Sequence, residues 1–144
     1  MQKFETSKLI RSEDMNHHET LFAGRMIGWM VEAAFIGASH LYGKYGEADH
    51  LVSIEAQSIK FLGPAFNGDI VKYVAIGIKA GRTSLVMHVK ALRNNTDHKI
   101  AEGFVSFVTI DGNKRKIPHN IILEEPTTEE EKELIEKYDR LRSK

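Results

Sequence analysis

An asparagine in a polar loop, a glycine at a helix start and one carboxylate further along that helix carry the chemistry of this chain. They lie in the stretch NHHETLFAGRMIGWMVEAA, from Asn16 to Ala34. Helix starts expose backbone N–H groups that bear partial positive charge and lack intrahelical acceptors. The turn Phe22-Ala23-Gly24 therefore offers donors to an oxygen that is gaining negative charge. Asn16 adds an amide, and Glu32 is the only acid between Glu19 and Glu47. Such a set can hold a carbonyl and manage a water, the requirements of hydrolysis. Because the helix is apolar nearly all round, Glu32 is predicted to be buried, where its charge needs a partner or a solvated cleft. The structural alternative is an ion pair, for example with Arg25 two turns earlier, or a glutamate at a solvent-facing gap.

Other candidates are weaker in chemical terms. His17 and His18, adjacent in an extended loop, are expected to point apart, and no third ligand stands at metal-site spacing, so they are read as hydrogen-bonding or substrate-contacting residues and no metal is expected. Gly81-Arg82-Thr83-Ser84 joins two strands with a cation, two hydroxyls and a pliable backbone, a grip for a phosphate or an amide-bearing chain, though hairpin tips also look like this without binding anything. No Gly-x-Ser-x-Gly, P-loop or dinucleotide glycine pattern occurs.

The elements that must position these residues follow from periodicity. From about Thr20 to Tyr42, apolar residues recur at helical spacing through Phe22, Met26, Trp29, Met30, Ala33, Ile36, Gly37 and His40, which predicts one long central helix. Residues 4 to 11 read as a short strand. A Gly-rich loop from Tyr42 to Asp49 precedes four strand-like runs at about 51 to 62, 69 to 79, 83 to 93 and 99 to 110. Hairpin-length turns at Ala80-Gly81-Arg82 and Asn94-Asn95-Thr96-Asp97 favour antiparallel neighbours. Leu85, Met87, Val89 and Ala91 alternate with Ser84, His88 and Lys90, so the second set is expected on a wetter face. One helix laid on such a sheet is an α+β design. At the tail, Thr127 followed by Glu130 reads as a capping box opening an amphipathic helix with the stripe Leu134, Ile135, Tyr138 and Leu141.

Composition bounds the rest. The chain has 144 residues, 42% of them apolar, enough for one domain with its own core. Twenty basic and twenty acidic residues leave no net charge, so no global field favours nucleic acid or an anionic membrane. There is no cysteine, which removes disulfides and thiolate nucleophiles. No run approaches the roughly 20 apolar residues that span a bilayer, and no signal-like segment opens the sequence. A cytoplasmic protein without membrane insertion is the expectation.

Taken in order, Glu13-Asp14-Met15-Asn16-His17-His18-x-Thr20-Leu21-Phe22-x-Gly24, Trp29-Met30-x-Glu32-Ala33-Ala34, Ser58-Ile59-x-Phe61-Leu62, Gly81-Arg82-Thr83-Ser84 and Phe107-Val108 closely resemble the acyl-CoA thioesterase family of hotdog folds. The resemblance covers about residues 4 to 120. It implies an α+β hotdog domain over 1–120, a long helix wrapped by an antiparallel sheet, with 121–144 as a tail carrying the terminal helix. It further implies a homodimer whose sheets join, commonly a trimer of such dimers, with the active site between protomers. Asn16 would position water or the thioester, the backbone at Gly24 would receive the oxyanion, and Glu32 would serve as base or nucleophile. His17, Thr20, Phe22 and Phe61 would contact an acyl-CoA substrate, whose coenzyme A would lie near Gly81, Arg82, Thr83 and Ser84. Coenzyme A enters only as part of that substrate, so no separate cofactor is implied. The family's usual helix aspartate falls on Val31, with Glu32 immediately after it. The alternative is a non-catalytic acyl-CoA binding or sensing protein that has lost this base. A hydratase using His40 is a third reading, set against His40 as a structural helix-end residue.

Overall fold

The computed structural model describes residues 1–43 and 50–143; most of the Gly-rich loop after Tyr42 lies outside them. The chain runs β1 (Lys3–Leu9), a short 3-10 turn (Ser12–Asp14), α1 (Ala23–Tyr42), β2 (Leu51–Phe61), β3 (Ile70–Ala80), β4 (Ser84–Arg93), β5 (Lys99–Thr109) and α2 (Glu129–Arg142). The strands form one sheet in the order β1-β3-β4-β5-β2, every pair antiparallel. At the β4–β5 turn, Asn94 and Asn95 both take positive φ, 52° and 54°, which matches the twist that a tight hairpin needs.

Helix α1 lies on one face of the sheet. Met26, Met30, Ala33, Ala34, Gly37, Ala38 and Tyr42 are its buried residues, spaced at three and four as a single stripe demands. Small residues in that stripe let the helix sit close. A Cβ on Gly37 would come within 2.8 Å of Met87 Cε and 3.3 Å of Ala75 Cβ. Gly43, at φ 73°, ends the helix in a left-handed cap, its N–H donating to the Ser39 carbonyl at 2.8 Å. Beneath α1, Tyr73, Met87, Ile100 and Phe107 are fully buried, each burial contributing on the order of 1.5–3 kcal/mol.

The other face is covered as well. His88, predicted on a wetter face, is only 2% exposed, because α2 lies over it and packs Leu134, Ile135, Tyr138 and Leu141 on Ile76, Ile78, Val86 and Phe104. The stripe is as predicted, but the cap is one residue later. Thr128 accepts from the Glu131 N–H at 3.1 Å, and the Glu131 carboxylate reaches back to the Thr128 N–H at 3.3 Å. Four ion pairs tie α2 to the strands: Lys79 to Asp139 and Lys90 to Glu130 at 2.8 Å, Arg142 to Glu55 at 2.9 Å and Lys137 to Glu102 at 3.0 Å. The fold is thus three layers, helix on sheet on helix.

Strand β2 is the open edge next to β5. Its pairing is irregular at two places, between Ser53 and Glu55 and between Gln57 and Lys60, and Ser58 has φ 54°. Val52, Ile54 and Phe61 are exposed along it.

Candidate functional site

The loop that leads into α1 is built around Asn16. Its backbone N–H donates to the Thr20 carbonyl at 2.8 Å, while its Oδ1 accepts from the backbone N–H groups of His18, at 2.8 Å, and Thr20, at 3.2 Å. Those two donors fix which amide atom is oxygen. Nδ2 donates to Thr20 Oγ1 at 3.1 Å, leaving its second hydrogen for a ligand. Glu19, at φ 61°, turns the chain within this loop. The His17 and His18 rings do not point apart as predicted; they lie 3.9 Å apart, tilted by 42°.

Asp14, which the residue pattern gave no role of its own, braces the loop from below. It is 3% exposed, accepts from the Arg11 N–H at 2.8 Å and lies 3.4 Å from Arg25 Nε in the first turn of α1. Arg25 is therefore engaged by Asp14 rather than by Glu32. The Asp14 carbonyl receives the Phe22 N–H, and Leu21 N–H reaches the Ala65 carbonyl, at 2.9 and 2.8 Å. No local sequence signal marked this brace, because Asp14 stands eight residues ahead of the Phe22 cap and reaches Arg25 only through the fold of the loop.

At the start of α1, Phe22 caps without a side-chain hydrogen bond, and the N–H groups of Arg25 and Met26 both return to its carbonyl. The preceding N–H groups, those of Ala23 and Gly24, meet no side-chain acceptor among the described residues. The Phe22 ring, 54% exposed, lies over Gly24, where a Cβ would come within 2.7 Å of ring atom Cε1. Gly24 thereby permits both the ring position and access to the backbone.

Glu32 is not buried. Its side chain is 50% exposed and its Oε1 accepts from Lys8 Nζ of β1 at 3.0 Å. Lys8 also lies 5.9 Å from the Trp29 ring, and His40, further along the same side, stacks on Phe4 of β1 at 5.2 Å. The opposite side of α1 faces β5, where Phe35 meets Phe107 edge-on at 6.0 Å, one turn beyond Val31. The two candidate positions thus look to different edges of the sheet, as the roughly 100° between neighbouring helix residues requires. Under the helix, Tyr73 donates to Met26 Sδ at 3.3 Å; burial, and secondarily the charge of Glu32, hold its phenol protonated well above the ordinary range.

The Gly81 to Ser84 turn is closed by the Gly81 N–H to the Ser84 carbonyl at 2.9 Å. It lies at the C-terminal end of α1: Gly77, just before it on β3, approaches Leu41, whereas Tyr73 approaches Met26. A helix of 20 residues spans about 30 Å, so within one chain Asn16, His17, Thr20, Phe22 and Gly24 gather at one end while Gly81, Arg82, Thr83 and Ser84 sit at the other. Phe61, 49% exposed, closes β2 just before the corner that receives Leu21.

A family model described as the thioesterase superfamily matches residues 18–99. The chain belongs to the thioesterase superfamily. This superfamily member is 28% identical over 122 residues to an uncharacterized acyl-CoA thioester hydrolase of Bacillus subtilis, covering 82% of this chain and 67% of that one. A second uncharacterized acyl-CoA thioester hydrolase, from Zymomonas mobilis, is 30% identical over 100 residues, covering 66% and 63%. Among solved structures, an acyl-CoA hydrolase from Bacillus cereus superposes with a TM-score of 0.82 at 29% identity, covering 98% of this chain and 84% of that chain. An acyl-CoA hydrolase from Staphylococcus aureus, solved with butyryl coenzyme A and coenzyme A, gives 0.79 at 25% identity, covering 98% and 87%. Alanine variants of an asparagine and an aspartate fifteen residues apart in that enzyme have also been solved. These likenesses establish the hotdog fold.

Proposed function

We propose that this chain is an acyl-CoA thioester hydrolase, releasing a free acid and coenzyme A. The observation that carries the reading within a thioesterase-superfamily fold is the Asn16 loop. The loop's own N–H groups consume the amide oxygen, and one amide N–H is left just ahead of the uncapped first turn of α1. A thioester carbonyl there meets donors from Asn16 and the Gly24 backbone, which stabilise the oxyanion as water adds to the carbonyl carbon. The C–S bond then breaks, and coenzyme A leaves as the thiol after taking a proton.

Two copies complete this site. If β2 pairs with β2 of a second copy about a two-fold axis, the two α1 helices run antiparallel. The Asn16 end of one protomer then lies toward the Gly81 to Ser84 end of the other, consistent with a homo-oligomer that places acyl-CoA between protomers. The trimer of dimers belongs to the same proposal, as does contact of His17, Thr20, Phe22 and Phe61 with the acyl side. Water is the acceptor, so coenzyme A takes part only as substrate and product.

Glu32 is assigned as the base that takes the water's proton. It lies against Lys8, and it must swing from the β1 side to act; fifteen residues after Asn16 stands Val31, which has no proton to exchange. Steady-state hydrolysis of an acyl-CoA chain-length panel tests both residues. Asn16→Ala is expected to lower kcat by about 100-fold, the scale of losing one oxyanion donor. Undiminished turnover in Glu32→Ala would reassign that residue as a strut to β1. Tight binding across the panel with no turnover in the unaltered protein would reject hydrolysis altogether.

A further inference from the structure

The space between α2 and the sheet is not completely filled. Cross-strand register sets two rows on that face, Lys3, Ile76 and His88 in one and Glu5, Val74 and Lys90 in the next, since residues directly opposite in an antiparallel ladder share a face. The start of α2 passes over them. Its first acidic side chains are drawn elsewhere, Glu131 back to the Thr127 and Thr128 N–H groups at 3.1 and 3.3 Å and Glu130 outward to Lys90 at 2.8 Å. From the apolar stripe of α2, Leu134 reaches this point. A cavity of about 100 Å³ remains, walled by Val74, Ile76, Leu134 and the His88 ring, with Lys3 and Lys90 on its border.

His88 marks the same gap chemically. The residue is 2% exposed, yet its Nε2 makes no hydrogen bond among the described residues; the Glu102 carboxylate stands 3.6 Å away and is engaged by Lys99 and Lys137 at 2.6 and 3.0 Å. A buried polar atom without a partner is uncommon, and here it belongs to a ring bordering space that the chain leaves open. A second recess adjoins the first, lined by Lys3, Lys90, Leu92, Asp97, Lys99 and Glu130. Lys3, Lys90 and Glu130 line both, so they stand where the two meet. Three ammonium groups oppose two carboxylates in the outer recess, and Lys90 uses one of its three donors on Glu130. Glu5, on the same face, is engaged by Lys72 at 3.9 Å.

We infer that this cavity is a second ligand site, which takes the apolar tail of a short-chain carboxylate between α2 and the sheet while the carboxylate head meets Lys3 and Lys90. The size fits a small tail: a cavity of about 150 Å³ holds benzene, so this one holds roughly three or four carbons. The charge selects the head. An ammonium head would face the same lysines, and an alcohol would leave their charge unused, whereas a carboxylate accepts charge-assisted hydrogen bonds from both. The site lies across the sheet from α1 and does not depend on the hydrolase reading. Because the acid touches helix and strands together, it stabilises the docked position of α2 by mass action.

The test follows the methyl NMR signals of Val74 and Ile76 while the full chain is titrated at constant ionic strength with butanoate, butan-1-ol or butylammonium. Amide exchange of residues 129–142 is read alongside. Butanoate is expected to shift both methyl signals saturably and to slow exchange in α2, with butan-1-ol binding at least about tenfold more weakly and butylammonium producing neither effect. Lys3→Gln/Lys90→Gln is expected to weaken butanoate about tenfold or more and to leave butan-1-ol unchanged. Leu134→Phe, which fills the cavity, is expected to abolish the response to butanoate. Unaltered Trp29 fluorescence in both variants shows that the domain remains folded. Absence of a saturable shift overturns the inference, as does equal affinity for the three ligands. Full butanoate binding in the lysine variant, or saturable shifts without slower exchange in α2, overturns it as well.

Discussion

The two helices of this molecule cover opposite faces of one sheet by different means. Helix α1 is held by a continuous stripe of Met, Ala and Gly pressed onto Tyr73, Met87 and Phe107, with Gly37 leaving room for the side chains of Met87, Phe4 and Ala75. Helix α2 buries chiefly Tyr138 and Glu131, and its polar surface is tied down by ion pairs. Apolar burial involves no protonation step and is not screened by salt, whereas charge pairs are subject to both. The side carrying the candidate site is therefore the more constant one.

The largest test of that contrast is Phe107→Ala under α1, expected to cost about 3–5 kcal/mol and to lower the global urea midpoint. Tyr138→Ala is expected to cost about 2 kcal/mol, at the low end for a large buried side chain because α2 can detach instead of leaving a cavity. Fluorescence of Trp29, the single tryptophan, reports the α1 side and should shift far less in the second variant. Equal shifts in both would show that α2 and the domain unfold as one unit.

Acid should separate the faces more gently. Burial lowers the pKa of His88, with Glu102 opposing only in part, so its unfolded form, near 6.5, binds a proton first. Glu102 is held well below the carboxylate range by His88, 3.6 Å away, then by Lys99 and Lys137. Lys90 lowers Glu130; the Thr127 N–H and the Met1 ammonium lower Glu131 to about 2. All four lie at the α2 interface, and all four shifts have one sign: the stabilisation is complete above the unfolded pKa values, 6.5 for the histidine and 4.5 for the carboxylates, and is lost as pH falls through the folded ones. Amide exchange in residues 129–142 should therefore accelerate relative to α1 as pH falls from about 6.5, first through His88 and then, from about 4.5 down to about 2, through the carboxylates. Parallel acceleration in both helices would remove the distinction.

Much of this arrangement was legible in the sequence. The predicted strands and central helix agree with the observed ones to within a few residues, because β-branched runs and a 3.6-residue period are local signals. The α2 cap was displaced by one because Thr127-Thr128 followed by three glutamates satisfies the pattern twice. The site was less legible. Periodicity showed that Glu32 sits on a largely apolar helix but not that its side of the helix lies at the sheet edge, where Lys8, 24 residues away, meets it. His88 was misplaced for the mirror-image reason, since strand alternation cannot announce a helix that arrives 40 residues later. Asn16 stood out as a polar loop residue, yet which of its atoms the loop consumes depended on the left-handed turn at Glu19.

The two irregularities of β2 bear on how this chain behaves in a crowded cell. An unpaired edge strand is a template on which further strands can add without limit, the beginning of a fibril. Here the regular stretch between Glu55 and Gln57 is only three residues long before the backbone bends again at Ser58. A straight strand from an unrelated or misfolded chain cannot follow that path, whereas an identical strand running the opposite way bends where this one bends. If β2 pairs with β2 of a second copy, as proposed above, the kinks act as a filter on pairing at this edge, admitting that partner in one register and discouraging polymerisation.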